Sequence, residues 1–154
     1  MKYFAIVGSK NNGLIYSRSS FDLVKHEESY ISMSNVVLLV EDSDFIRDMY
    51  KLKLTKAKID VLEAVDGSMA LSMISEHKPK LVLLDLMMPN VTGLEVLEEL
   101  DKQKMTPELP VIVLTNMMDK PTIDKAKNLG ARDYIIKTDL TPGEVLEKIM
   151  PYLA

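Results

Sequence analysis

The sequence predicts a doubly wound α/β fold, in which five parallel strands in the order 2-1-3-4-5 carry helices on both faces. Three observations predict it. Short apolar runs without polar alternation recur at residues 36–40, 81–84 and 110–115, the pattern of strands buried on both sides. Stretches with helical spacing separate them, so strands and helices alternate. Finally, the runs end on polar or charged residues, as strands do when one sheet edge is reserved for chemistry. Right-handed crossovers leave few strand orders, and 2-1-3-4-5 leads among them.

Residues 1–34 differ from the rest. Residues 3–7 are apolar, Ser9-Lys10-Asn11-Asn12-Gly13 is turn chemistry, and Leu14-Ile15-Tyr16 is apolar again. This suggests a hairpin with a loop longer than the common two residues, followed by a linker. Phe21 to Tyr30 is polar and carries no period. The plain reading of 1–34 is an appended hairpin-like extension; the sharper one is a strand that extends the sheet or mediates a homodimer. Met33 is a candidate alternative start.

The regular pattern opens at Val36. Its first strand ends in Glu41-Asp42-Ser43-Asp44, and Phe45, Met49 and Leu52 then recur at helical spacing, with Ile46 and Lys53 flanking that face. Residues 59–65 form the second strand. Asp66-Gly67 caps a helix carrying Ala70, Leu71 and Ile74, and Lys78-Pro79 ends it because a residue before proline leaves the helical region. The third strand runs into Asp85. Thr92-Gly93-Leu94-Glu95 has capping-box spacing and opens a helix with Leu94, Leu97 and Leu100 inward. After the strand ending at Thr115, Asp119, Pro121 and Thr122 signal a helix start and Gly130 its end. Residues 134–136 form the fifth strand, closed by Lys137. Thr141-Pro142-Gly143-Glu144 then opens a last helix whose apolar face is Val145, Leu146, Ile149 and Met150.

Bulk properties narrow the function. The chain of 154 residues suits one domain, 35–154, beside the short extension. Its net charge of −4 disfavours general nucleic-acid binding. The absence of cysteine excludes disulfides, thiolate catalysis and cysteine-based zinc sites. His26 and His77 are far apart and fit no metal-ligand spacing, so both read as surface residues. No apolar run reaches the ~18 residues of a membrane span, and no signal peptide is evident, so a cytoplasmic protein without membrane contact is expected.

In a parallel sheet every strand delivers its last residue to one edge. Here those residues are Glu41-Asp42, Asp85, Thr115 and Lys137. Alone, each is ordinary: an acidic pair caps a helix, a strand-end threonine is structural, a single lysine is solvated. Together they bring three carboxylates, a hydroxyl and an ammonium to one crevice. Packed acids repel unless a cation joins them. Lys137 supplies one charge, and hard oxygen ligands with negative charge to spare suit Mg²⁺.

From about Val36 to Ala154 this combination resembles the receiver domains of two-component response regulators, the CheY-like, flavodoxin-like (βα)5 fold. The resemblance implies that Asp85 accepts a phosphoryl group from a phosphohistidine on a sensor histidine kinase or phosphotransfer protein. It implies that Glu41, Asp42, Asp85 and the backbone carbonyl of Met87 hold Mg²⁺. Lys137 and the Thr115 hydroxyl would bind phosphoryl oxygens, and Tyr134 would follow Thr115 as an aromatic switch. Met88-Pro89 and Gly93 fit the loop after the phosphoacceptor. Such a chain is a phosphoprotein that signals by contact with a downstream protein, and an enzyme at most in self-catalysed phosphotransfer and autodephosphorylation.

Two positions depart from the family pattern. Thr138 stands where proline normally follows the lysine, which disfavours a cis bond there. Asn116 stands where small residues are common, and an atypical lifetime of the phosphorylated state is expected from it. Met87, Met88, Met117 and Met118 flank the site, either as filler or as an adaptable rim for a partner. Two other functions compete: a phosphorylation-independent interaction module on the same fold, and an aspartyl-phosphate hydrolase. The hydrolase commonly has a second aspartate two residues after the nucleophile, where this chain has Met87. A flavin-binding protein of this topology would want a phosphate-cradling loop in place of acidic Glu41-Asp42-Ser43-Asp44.

Overall fold

The computed structural model describes Ala5–Lys10, Gly13–Ser17 and residues 35–154. The first two segments are strands β1 and β2, paired antiparallel. Lys10 pairs with Gly13, which leaves only Asn11 and Asn12 between the strands. The loop is therefore shorter than its turn-rich composition suggests, because Ser9 and Lys10 continue the ladder. This hairpin forms a unit separate from the remainder. Phe21 to Tyr30, His26 and Met33 lie outside the described residues.

The larger unit alternates strand and helix: β3 (Val36–Val40), α1 (Asp44–Lys56), β4 (Asp60–Ala64), α2 (Gly67–His77), β5 (Leu81–Leu84), α3 (Gly93–Lys102), β6 (Val111–Thr115), α4 (Lys120–Asn128), β7 (Asp133–Ile136) and α5 (Pro142–Leu153). The five strands are parallel and ordered β4-β3-β5-β6-β7, the expected 2-1-3-4-5. Apolar residues fill both sides of the central strands. Leu38, Val40, Val82, Leu84, Val111 and Val113 pack with Ala70, Ile74, Val96, Leu97 and Leu100 under α2 and α3. The alternate set Val37, Leu39, Leu81, Leu83, Ile112 and Leu114 packs with Tyr50, Leu54, Val145 and Ile149 under α1 and α5. Alternation is absent from these strands because neither face meets water.

The helix starts follow their capping chemistry. Thr92 and Thr141 each complete a reciprocal capping box, with Glu95 and Glu144 respectively. Asp66 and Asp119 accept the backbone N–H of Met69 and Thr122. At the end of α2, Lys78 adopts φ 48°, ψ 61°, a left-handed cap rather than the extended conformation expected before proline. Its N–H still reaches the Ile74 carbonyl at 3.1 Å, so the cap satisfies a helix-end acceptor. Gly130, with φ +93°, takes the left-handed position after α4.

Two helix faces differ from the sequence reading. On α1, Phe45, Met49 and Leu52 face solvent, Phe45 being 80% exposed, while Tyr50 and Leu54 are buried and Ile46 is half-buried. Residues 45/49/52 and 46/50/54 both satisfy helical spacing, so periodicity alone cannot choose between the stripes. On α5, Met150 is exposed and Leu153 takes the buried place beside Val145 and Ile149.

Gly93 positions the loop after β5. A Cβ there would lie 2.2 Å from the Asp85 carbonyl oxygen and 2.8 Å from Leu86 Cα, so α3 starts closer to that loop than any side chain permits. Gly93→Ala is expected to destabilise the chain by about 1–3 kcal/mol in urea unfolding, since backbone must move. In the same assay Leu54→Ala is expected to cost about 2–5 kcal/mol and Phe45→Ser to stay within about 0.5 kcal/mol. The reverse order would contradict the observed face of α1.

Candidate functional site

The carboxyl ends of β3, β5, β6 and β7 share one edge, and ladder hydrogen bonds continue one residue past the strands there. The N–H of Glu41 donates to the Ala64 carbonyl at 3.0 Å, that of Asp85 to Val40 at 3.0 Å, and that of Lys137 to Thr115 at 2.8 Å. The side chains that matter therefore leave from backbone as firmly held as the sheet itself.

Lys137 joins the cluster. Its Nζ donates to Asp85 Oδ2 at 2.9 Å and also to Glu41 Oε2. Glu41 and Asp85 are 2% and 5% exposed, and Lys137 is nearly as enclosed. Glu41 Oε1 accepts the N–H of Ser43 at 3.2 Å, and Asp85 Oδ1 accepts the N–H of Met87 at 3.2 Å. Burial pushes the Glu41 carboxyl above its ordinary range, and the hydrogen bond from Lys137 only partly opposes it. Burial disfavours the Lys137 ammonium, but its bonds to Glu41 and Asp85 outweigh this and its pKa is raised.

Asp42 completes the group from the solvent side. One carboxylate oxygen each from Glu41, Asp42 and Asp85 lie within 4.8 Å of one another. Asp42 is exposed, and its carboxylate has no hydrogen bond or ion pair among the described residues. Three converging carboxylates against one ammonium leave negative charge in excess, and every donor is a hard oxygen. This donor set fits Mg²⁺, which takes one or two carboxylates and keeps several waters.

The other expected residues lie at the same edge. Thr115 is fully buried, and its Oγ1 accepts a long, 3.4 Å hydrogen bond from the N–H of Met117. The Tyr134 hydroxyl donates to the Met117 carbonyl at 2.9 Å, so both groups meet one loop. Asn116 is exposed, and no described peptide bond is cis, Lys137–Thr138 included. The methionines divide: Met88 is buried and Met117 packs on the core, whereas Met87 and Met118 are exposed. His77 is partly exposed, 3.9 Å from Glu76 and away from the cluster.

Sequence reading missed two residues at this edge. Tyr50 packs beneath it from α1, close enough for its hydroxyl to feel the charges of Lys137 and Glu41. Arg47 donates to the Glu41 carbonyl at 2.9 Å, to Glu63 Oε2 at 3.3 Å and to Asp44. The signal available for Arg47 was a basic residue one turn into a helix that begins in acidic residues.

An edge of three carboxylates and one lysine gains meaning from its relatives. Residues 37–150 match the family model of the response regulator receiver domain. The chain is 37% identical over 117 residues to a probable transcriptional regulator, ycf27, of Porphyridium aerugineum, covering 76% of this chain and 47% of that protein. It is 31% identical over 121 residues to the phosphate regulon transcriptional regulatory protein PhoB of Pseudomonas aeruginosa, covering 79% and 52%. The chain thus spans about half the length of the curated relatives it matches. Among solved structures, a CheY-like receiver domain protein from Methanospirillum hungatei superposes with TM-score 0.71 at 29% identity, over 77% of this chain and 93% of that one. The BeF3-activated N-terminal receiver domain of Klebsiella pneumoniae RstA gives 0.70 at 30% identity, over 77% and 98%. With strand order, strand-end chemistry and sequence in agreement, this chain belongs to the response regulator receiver domains of two-component signalling.

Proposed function

We propose that residues 35–154 are a phosphoacceptor switch that takes a phosphoryl group onto Asp85 in a Mg²⁺-dependent reaction, with residues 1–34 an appended extension. The observation that carries this reading is the Lys137 ammonium bonded to both Asp85 and Glu41 beside a third carboxylate, that of Asp42, which has no partner among the described residues. The donor is a phosphohistidine on a sensor kinase or phosphotransfer protein. An Asp85 oxygen attacks phosphorus, the P–O bond forms as the P–N bond breaks, and the imidazole leaves with its electron pair.

Glu41, Asp42, Asp85 and the Met87 carbonyl would hold Mg²⁺, which supplies charge neutralisation across the transferring oxygens. Lys137, already fixed on Asp85, offers its ammonium to a phosphoryl oxygen with little reorganisation. The Thr115 hydroxyl exchanges its long bond from Met117 for another phosphoryl oxygen, and Tyr134 follows by leaving the Met117 carbonyl. The surface of α4, β7 and α5 then changes shape for a downstream protein. Met87, exposed two residues past Asp85, offers no acid or base for hydrolysis, which supports an acceptor over a phosphatase. The relatives named as transcriptional regulators extend to about twice the matched span, and this reading concerns the receiver part alone. No described helix is long and apolar enough to cross a membrane.

Intact mass after incubation with Mg²⁺ and a small-molecule phosphodonor tests the acceptor. One added phosphoryl group on the wild type and none on Asp85→Asn is expected; equal modification of both would contradict the assignment. Acid tests the metal ligands. A proton and the cation compete for Glu41, whose pKa lies above its ordinary value of 4.5. Mg²⁺ affinity is therefore expected to fall while the pH is still above that of an ordinary carboxylate. Titrations showing constant affinity down to the ordinary range would remove Glu41 from the ligand set.

A further inference from the structure

Arg47 stands on α1, outside the ligand set, and its three guanidinium nitrogens are all engaged. Nη1 donates to the backbone carbonyl of Glu41 at 2.9 Å, Nε to Glu63 Oε2 at 3.3 Å, and Nη2 to Asp44. The side chain is 12% exposed, and its contacts to Glu41 and Glu63 are partly buried while Asp44 meets it from the solvent side. The other side of Glu41 is also fixed, its N–H donating to Ala64 at 3.0 Å. The peptide joining Glu41 to Asp42 is thus oriented by Arg47, and the Asp42 side chain leaves directly from it. Because the Asp42 carboxylate has no hydrogen bond or ion pair among the described residues, only its backbone aims it at the oxygens of Glu41 and Asp85.

We propose that Arg47 is a positioning residue for the cation site, holding the Glu41–Asp42 peptide so that Asp42 converges on Glu41 and Asp85. The proposal rests on the reading that these three carboxylates hold Mg²⁺. Glu63 anchors the clamp from β4, and Lys51 contacts the same carboxylate from its outer side. Charge and geometry make opposite demands here. A guanidinium beside the site repels a dication, so an Arg47 acting only as a charge would, when neutralised, leave Mg²⁺ bound more tightly. A clamp, when removed, leaves it bound more weakly.

The experiment is calorimetric titration of the full chain with Mg²⁺ alone, for wild type, Arg47→Gln, Arg47→Lys and Lys51→Gln, with thermal unfolding in metal-free buffer to establish that each is folded. Arg47→Gln is expected to bind about tenfold more weakly, in the range usual for groups that orient metal ligands. Arg47→Lys, which keeps the charge but lacks the fork, is expected to show a loss of similar size. Lys51→Gln, which touches only Glu63, is expected to show no weakening. Phosphoryl uptake by Arg47→Lys should return to the wild-type rate at saturating Mg²⁺ while its half-saturating concentration rises, a split that general loss of structure does not produce. Unchanged or tighter binding by Arg47→Lys would overturn the clamp, and this variant decides alone if Arg47→Gln does not fold. Failure of the wild type to bind Mg²⁺ would overturn the site reading and the clamp with it.

Discussion

The Lys137 ammonium, held between Glu41 and Asp85, is the interaction on which the site depends. An enclosed cation is costly unless its partners are close and their remaining lone pairs are satisfied. Both conditions hold: Ser43 and Met87 donate to the oxygens of Glu41 and Asp85 that Lys137 leaves free. Even so, one ammonium does not balance three carboxylates. Burial holds the pKa of Glu41 raised, and the neighbouring Asp85 charge adds to it against the opposing pull of Lys137. On the proposed function, a dication at Asp42 and a phosphoryl group at Asp85 would bring opposite charges to the same cluster, which would link the two in their chemistry.

That arrangement is a consequence of the sheet. Parallel strands send every carboxyl end to one edge, and apolar residues on both faces fix the strands against slippage. Residues far apart in sequence, such as Glu41 and Lys137, meet because β3 and β7 belong to one register. The helices contribute at close range. Gly93 lets α3 start against the Asp85 carbonyl, and α1 supplies Arg47 to the Glu41 carbonyl. Thr115 and Tyr134 both bond to Met117, the first at its N–H and the second at its carbonyl.

The topology and the chemical edge were legible in the sequence because both are written in strong local signals: unbroken apolar runs, capping boxes at Thr92 and Thr141, and polar residues at strand ends. The inward stripe of α1 was not, because two apolar series share its period and only packing against β3, β5 and α5 selects Tyr50 and Leu54. On the last helix Met150, expected on the apolar face, is exposed, and Leu153, which the sequence reading did not name, is buried. The hairpin loop looked longer than it is because turn-forming Ser9 and Lys10 also pair in a ladder. Arg47 escaped notice because its contact to the site is a bond to the backbone carbonyl of Glu41, which leaves no residue-type signature. Lys78 took a left-handed cap where proline suggested an extended residue, since the helix-end carbonyl of Ile74 rewards that conformation.

The central claim is that phosphoryl chemistry at Asp85 acts on Lys137, Thr115 and Tyr134 as one unit. A structure of the chain with Mg²⁺ and beryllofluoride tests it most directly. The account expects the fluoroberyllate on Asp85, Lys137 in contact with it, Thr115 released from the Met117 N–H and Tyr134 released from the Met117 carbonyl. An adduct on Asp85 with Thr115 and Tyr134 still bonded to Met117 would contradict the coupled switch, and no adduct at all would contradict the phosphoacceptor itself.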